Sequence, residues 1–316
     1  MTRARRLAAL AVGLGLAAAG CTQGVPAGSP TTPLAPSASV TTPAVDLTAP
    51  GVAQRVVREL VAASGSSQVL IVDIRPHEAS VSVLVGDEPH TWAFRDGAIK
   101  EVPSDLAFVD QVAFDPERFN LSDVGALFRT AAELAGSAEG QRLQIVDLQR
   151  VDHSAADVKM TVSTNPETRT VFFNADGTLV PTLDFHTAAG IAAGLADARG
   201  DHTAATTVAV GSDVGAYVEF PGPDGDTIVR RQRAARFPVT ASPRAGDDTL
   251  ALFDPRLVDA AAIWRVLQRY AAVGSFGPTT AWSVVVDQRG GVAAPRMHFT
   301  VGGARSVTDL AGNPVS

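Results

Sequence analysis

Between residues 50 and 316 the apolar positions follow two rhythms, helical and alternating, and the order of the rhythms repeats. Residues 51–63 place Val52, Val56, Val57 and Leu60 on one side of a helix, with Pro50 at its first position. Val124, Leu127, Phe128, Ala131 and Leu134 make the apolar face of a second helix. Residues 187–199 read as a third, with Thr187 as N-cap and with Gly190 and Gly194 weakening it. Leu257, Ala260, Ala261, Trp264, Leu267 and Ala271 give a fourth. Between the helices lie short alternating runs such as Val81-Ser82-Val83-Leu84-Val85, in which one face is buried and the other is wet. Asp96-Gly97 and Asp176-Gly177 are turn residues suited to hairpins between such strands.

The repeat has a period near 137 residues. Phe114-Asp115-Pro116 returns as Phe253-Asp254-Pro255, each time just ahead of a helix. Val81–Val85 corresponds to Tyr217-Val218-Glu219-Phe220, and Thr91–Phe94 to Thr227–Arg230. Leu143–Asp147 corresponds to Trp282–Asp287 with a one-residue slip, and Met160 and Met297 occupy the strand after. Helix starts near 50, 120, 187 and 257 give a finer unit of about 70 residues, a helix followed by three strands. Two such units per copy place helices on one face of a continuous antiparallel sheet. The expected fold is α+β, with two homologous domains over 50–184 and 185–316, each an antiparallel sheet packed with helices.

The segments Phe94-Arg95-Asp96-Gly97-Ala98-Ile99-Lys100-Glu101-Val102 and Val171-Phe172-Phe173-Asn174-Ala175-Asp176-Gly177-Thr178-Leu179-Val180 give the body a strand–Asp-Gly–strand phrase. In this it resembles PepSY-type modules and the tandem repeats of the β-lactamase inhibitor protein. That resemblance implies an extracytoplasmic interaction or inhibitory module and carries over no functional residue.

The first 49 residues follow other rules. Arg3, Arg5 and Arg6 precede an apolar run over 7–19, of signal-peptide length and too short to span a bilayer core. The run closes on Ala17-Ala18-Ala19-Gly20-Cys21, which holds the only cysteine of the chain. This ending resembles the lipobox of bacterial lipoproteins, although Ala18 stands where that family prefers leucine. The resemblance implies cleavage of the signal peptide (1–20) after Gly20, acylation of Cys21, and anchoring on the outer side of the cell membrane. Residues 22–49 are Pro, Ser, Thr, Ala and Gly with almost no charge. Such a composition cannot bury enough surface to fold, so 21–49 is read as the lipidated cysteine and a disordered tether.

Composition narrows the function further. The 316 residues carry a formal charge of −7, and removal of the arginine-rich leader makes the remainder more acidic. Nucleic acid is therefore not an expected partner, because phosphate binding needs a clustered positive field. The dense cluster Arg230, Arg231, Arg233 and Arg236 is split by strand alternation, with Arg231 and Arg233 pointing one way. Those two are candidate contacts to an anionic wall polymer, a lipid head group or an acidic protein surface. The alternative is a row of charges that protects an edge strand from aggregation.

No signature of catalysis, cofactor or metal emerges. A nucleophile elbow, a Ser-x-x-Lys pair, a phosphate loop and a dinucleotide fingerprint are all missing. His77, His90, His153, His186, His202 and His298 are scattered. Pro221-Gly222-Pro223-Asp224-Gly225-Asp226 offers carboxylates on a glycine turn, but an EF-hand would need glutamate where Ala235 stands, so a hairpin tip is expected. Trp92, Trp264 and Trp282 fall on apolar phases and are expected in the core. The expected role is a non-catalytic binding module at the cell envelope. Its rivals are a carrier of a lipid or other apolar ligand, and an enzyme with an unrecognised site.

Cys21→Ser is expected to release the protein from the membrane fraction without unfolding residues 50–316. Fractionation with circular dichroism of the released chain measures both, and full membrane retention of the variant contradicts the lipobox.

Overall fold

The computed structural model describes residues 44–104, 106, 111–154, 156–246 and 249–315. The fold is α+β and consists of two similar halves. The first runs α1 (Val52–Ser64), β1 (Val69–Ile74), β2 (Ala79–Val85), β3 (Glu88–Arg95), β4 (Ala98–Val102), α2 (Val124–Ala135), β5 (Arg142–Val146), β6 (Lys159–Ser163) and β7 (Val171–Phe173). The second runs α3 (Ala188–Arg199), β8 (Thr207–Gly211), β9 (Gly215–Pro221), β10 (Thr227–Arg233), β11 (Val239–Ala245), α4 (Ala260–Ala272), β12 (Trp282–Asp287), β13 (Arg296–Val301) and β14 (Ala304–Thr308). Each half folds into one seven-stranded sheet, ordered β4-β3-β2-β1-β5-β6-β7 and β11-β10-β9-β8-β12-β13-β14. All named pairings are antiparallel. The first unit of each half carries four strands rather than the expected three, because the strands Ala98–Val102 and Val239–Ala245 extend the sheet by one hairpin.

The shared Phe-Asp-Pro does the same work twice. Asp115 accepts from Glu117 N at 2.9 Å and Asp254 from Arg256 N at 2.9 Å, so each caps a short 3-10 turn opened by the proline. The preceding phenylalanines are buried and bridge the sheet, Phe114 to Val69 and Phe253 to Ala205. Local side chains then start the helices: Asp123 accepts from Ala126 N, Thr187 from Gly190 N and Asp259 from Ala261 N. Helix α1 starts one residue later than expected. Gly51, at φ 76°, precedes it and Pro50 lies outside it.

One face of each sheet is covered. Val72, Ile74, Val81, Val83, Leu143, Ile145, Met160 and Val162 pack with Val56, Val57, Leu60 and Phe128 in the first core, all with almost no exposure. The second core joins Val208, Val210, Val218, Val284, Val286, Met297 and Phe299 to Ile191, Ile263 and Leu267. The first core takes residues from Leu47 to Phe173 and the second from Leu183 to Val301, and the described residues form one compact body. The tether therefore ends earlier than the expected residue 49: Leu47 is fully buried and its N–H donates to Pro76 O at 2.8 Å, so the first domain begins ahead of residue 50. Two helix phases differ from the sequence reading. Leu134 is exposed and Ala135 is buried, while α4 buries Ala262, Ile263, Val266 and Leu267 and leaves Leu257 exposed. The apolar residues of α4 outnumber the core positions, so a pattern of letters allowed more than one face. Trp282 is buried, whereas Trp92 and Trp264 cover the core margins.

Helix α3 lies so close to the chain entering it that its glycines have a steric reason. A Cβ on Gly190 would stand 2.0 Å from Asp184 O, and one on Gly194 would stand 2.4 Å from Phe185 Cε1. Gly190→Ala is therefore expected to destabilise the fold by about 1–3 kcal/mol through overpacking. An unconstrained helical glycine would instead gain about 1 kcal/mol from the same change. Chemical denaturation decides the sign, and a stabilised variant contradicts the close approach.

Candidate functional site

The two arginines singled out from the sequence lie inside the molecule. Strand alternation does put Arg231 and Arg233 on one face of β10, but it is the covered face, and they are 5% and 1% exposed. Arg231 Nη1 donates to Asp152 Oδ2 and Asp157 Oδ2, both at 2.9 Å, and its Nε lies 3.4 Å from Ala198 O near the end of α3. Both carboxylates belong to the loop between β5 and β6 of the other half. Arg233 donates to Asp197 Oδ2 at 3.0 Å and to Pro181 O at 2.5 Å, and it also holds the carbonyls of Ala234 and Phe237. These guanidinium groups serve internal partners, so neither an external anion site nor an edge-strand guard describes them.

The same loop reaches the edge of the second sheet. Arg150 N donates to Ala241 O at 3.2 Å, Gln149 Nε2 donates to Val239 O at 3.0 Å, and Gln149 Oε1 accepts from Ala241 N. Strand β11 is thereby covered by the first half. Phe172 and Phe237 meet edge to face at 5.6 Å, and Leu183 N donates to Ala235 O. His202 stacks on Phe220 at 4.2 Å and lies 3.0 Å from Asp152 Oδ2. Burial pushes the Asp152 carboxyl up, but the hydrogen bonds from His202 and Arg231 outweigh it and leave it below the usual carboxylate range.

The uncovered faces are what remains for function. On sheet one, a groove of about 470 Å³ runs over β1, β2, β3 and β5. Its floor is Ile71, Ala93, Ser80 and a Ser82–Thr91 hydroxyl pair at 2.9 Å. Asp73 crosses the middle, accepting from Arg142 Nε and, at 3.1 Å, from Gln144 Nε2. Arg95 and Glu78 stand 3.7 Å apart at the rim, where Val102, Pro103 and Leu106 add an apolar lip. Such a surface offers fixed donors and acceptors over a short apolar floor, which suits recognition. Strand alternation in 79–85 signals Ser80 and Ser82 as outward residues. The Asp73–Arg142 pair depends on the β1–β5 register, Asp73 opposite Gln144, which no local pattern encodes.

The outer face of sheet two is built differently. Glu219 is 4% exposed and accepts from Arg230 Nε at 2.8 Å and from Arg244 Nε and Nη2 at 3.1 Å. Burial raises its pKa, and those arginines outweigh burial and bring it below the ordinary range. Arg230 also lies 4.2 Å from the centre of the Tyr217 ring, a cation–π contact. Asp287, 2% exposed, is held by Arg289. His298 Nε2 is 3.7 Å from Asp287 Oδ1, and burial with the Arg289 charge keeps that imidazole below its usual pKa.

The other candidates are accounted for separately. His77 meets Val45 O, His90 meets Glu101, His153 meets Asp147 and His186 meets Thr280 O, each at its own place in the fold. Among the described residues no group of three His, Cys, Asp or Glu side chains could hold a metal ion. The acidic glycine turn is the β9–β10 hairpin tip, where Asp224 accepts from Thr227 Oγ1 at 2.6 Å. Gly20 and Cys21 lie outside the described residues. No helix among the described residues is long and apolar enough to cross a membrane. No family model and no curated protein matches the chain.

Arg231→Ala would leave the half-buried Asp152 and Asp157 without their cation and is expected to cost about 2–3 kcal/mol, less than for a fully buried pair because solvent screens both carboxylates. Because the folded pKa of Asp152 is depressed, its contribution is full above the unfolded value of about 3.9 and is lost as pH falls through the folded value. Asp152→Asn should therefore flatten the acid limb of a stability–pH profile. An unchanged acid limb contradicts this coupling.

Proposed function

We propose that the chain is an exported lipoprotein, cleaved behind Gly20 and lipidated on Cys21, whose folded body is a non-catalytic binding module on the outer side of the membrane. The observation that carries the binding reading is the polar groove on sheet one, set over a core with no slack. Residues facing the helices, among them Leu60, Ile74, Leu143, Ile145 and Met160, are 0% exposed. A carrier of apolar molecules would need volume where these side chains interlock. A hydrolytic site would need an acid, a base and a nucleophile brought together, whereas the histidines are each tied up at separate points. The outward row of Ser80, Ser82, Thr91 and Gln144 keeps a wet, hydrogen-bonding surface open to a macromolecular partner.

A photo-reactive side chain at Ser80 is expected to crosslink one discrete envelope component in cells. The same group at Arg55, on the helix side, should not. Adding Thr91→Trp to fill the groove should abolish the Ser80 product. Equal products from both faces, or a product insensitive to Thr91→Trp, would contradict recognition by the groove.

A further inference from the structure

The outward rows of sheet two carry an excess of positive charge in a chain whose total is −7. Register places Arg230 beside Glu219, and Arg244 opposite Ile228, which shares the Arg230 face. It places Arg296 opposite Asp287, and Arg305 opposite Thr300, which shares the His298 face. Arg289 joins them through its bond to Asp287. Among the described residues, five arginines thus meet two carboxylates, and both carboxylates are buried under the arginines that they orient. What solvent meets is mainly cationic. The hairpin acids Asp213, Asp224 and Asp226 sit at strand ends rather than on these rows. The imbalance recurs on sheet one, where Arg75, Arg95, Lys100, Arg142 and Lys159 face Asp73 and Glu78.

We infer that the outer face of sheet two docks on an anionic phospholipid leaflet. The inference rests on the anchored reading above for its proximity. With a lipid on Cys21, the body beginning at residue 44 can lie no more than about 80 Å of extended chain from the leaflet. Wherever the tether lets it come within about 10 Å of the leaflet, an acidic body is repelled by anionic head groups unless it turns a cationic face to them. Guanidinium groups suit the task, because their planar forks bond phosphate oxygens in pairs. Arg230, Arg244 and Arg289 are pre-set by Glu219 and Asp287. Arg305 is exposed, and Arg296 stands opposite an Asp287 whose carboxylate is already held by Arg289, so both guanidinium groups can turn to a phosphate. The cations spread across the strands from β11 to β14, a width of about 29 Å at the usual strand spacing, which matches a sheet of head groups better than a single ligand.

Flotation of the full chain carrying Cys21→Ser tests this without the anchor. One set of vesicles is phosphatidylcholine alone and the other is an equal mixture of phosphatidylcholine and phosphatidylglycerol. The readout is the change in the ratio of binding between parent and variant chains, because Arg3, Arg5 and Arg6 of the leader raise the ratio equally in all of them. The ratio should favour the anionic vesicles and collapse in high salt. Arg296→Ala with Arg305→Ala should lower it by roughly thirty-fold at full effect, about five-fold for each surface cation. The paired lysine variants should retain most of it, and Arg55→Ala with Arg129→Ala on the helices should leave it unchanged. A ratio near unity for the parent, equal losses from the helix variants, or selective binding to soluble polyglutamate in place of vesicles would overturn the inference. If the native chain proves unlipidated while the ratio holds, the anchor fails and the docking face stands.

Discussion

The pairing of Arg231 with Asp152 and Asp157 is the constraint on which the arrangement of the body depends. Each half has its own core and its own closed sequence of helices and strands. Nothing in that scheme obliges the halves to share a body. The obligation comes from a buried guanidinium in one half whose carboxylates lie in a loop of the other. A buried charge cannot be left alone, so separation of the halves would expose or orphan three ionised groups at once. The loop that delivers the carboxylates also pairs with β11 through Gln149 and Arg150, so the electrostatic tie and the closing of a sheet edge are one event.

That tie has a consequence for the surfaces. The covered faces of the sheets are used by helices, and part of the covered face of β10 by the other half. The loop between β5 and β6 and the edge of β11 are used by the join. The outward rows of the two sheets are left to meet other molecules, and these are the rows in which Ser, Thr, Gln and Arg alternate with core residues. The duplication has been used unequally. Sheet one has a concave polar groove crossed by Asp73, whereas sheet two has charges drawn together around Glu219 and Asp287.

Much of the fold was legible because its determinants are local. Thr187 caps the helix that it was expected to cap, Asp96-Gly97 turns β3 into β4 with both residues at positive φ, and the repeated Phe-Asp-Pro has one structural role in each copy. The functional surfaces were less legible because their determinants are relations between distant strands. Alternation shows that Arg231 and Arg233 share a face but says nothing of which face is covered. Asp147 and Asp287 align by letter, yet the one-residue slip sends Asp147 to His153 and Gln149 and Asp287 to the outer face with Arg289. The buried arginines look like an exposed cluster in sequence because their counter-charges lie dozens of residues away, at Asp152 and Asp157.

The central claim is that the outward sheet faces, rather than the helices, are the contact surfaces of the body. Arginine-directed labelling of the native protein in its own membranes, read residue by residue by mass spectrometry, tests it most directly. Arg296 and Arg305 should be protected on the membrane and become reactive on detergent release, while Arg55, Arg129 and Arg265 on the helices label equally in both states. Equal labelling of both groups on the membrane, or protection confined to the helices, would contradict the claim.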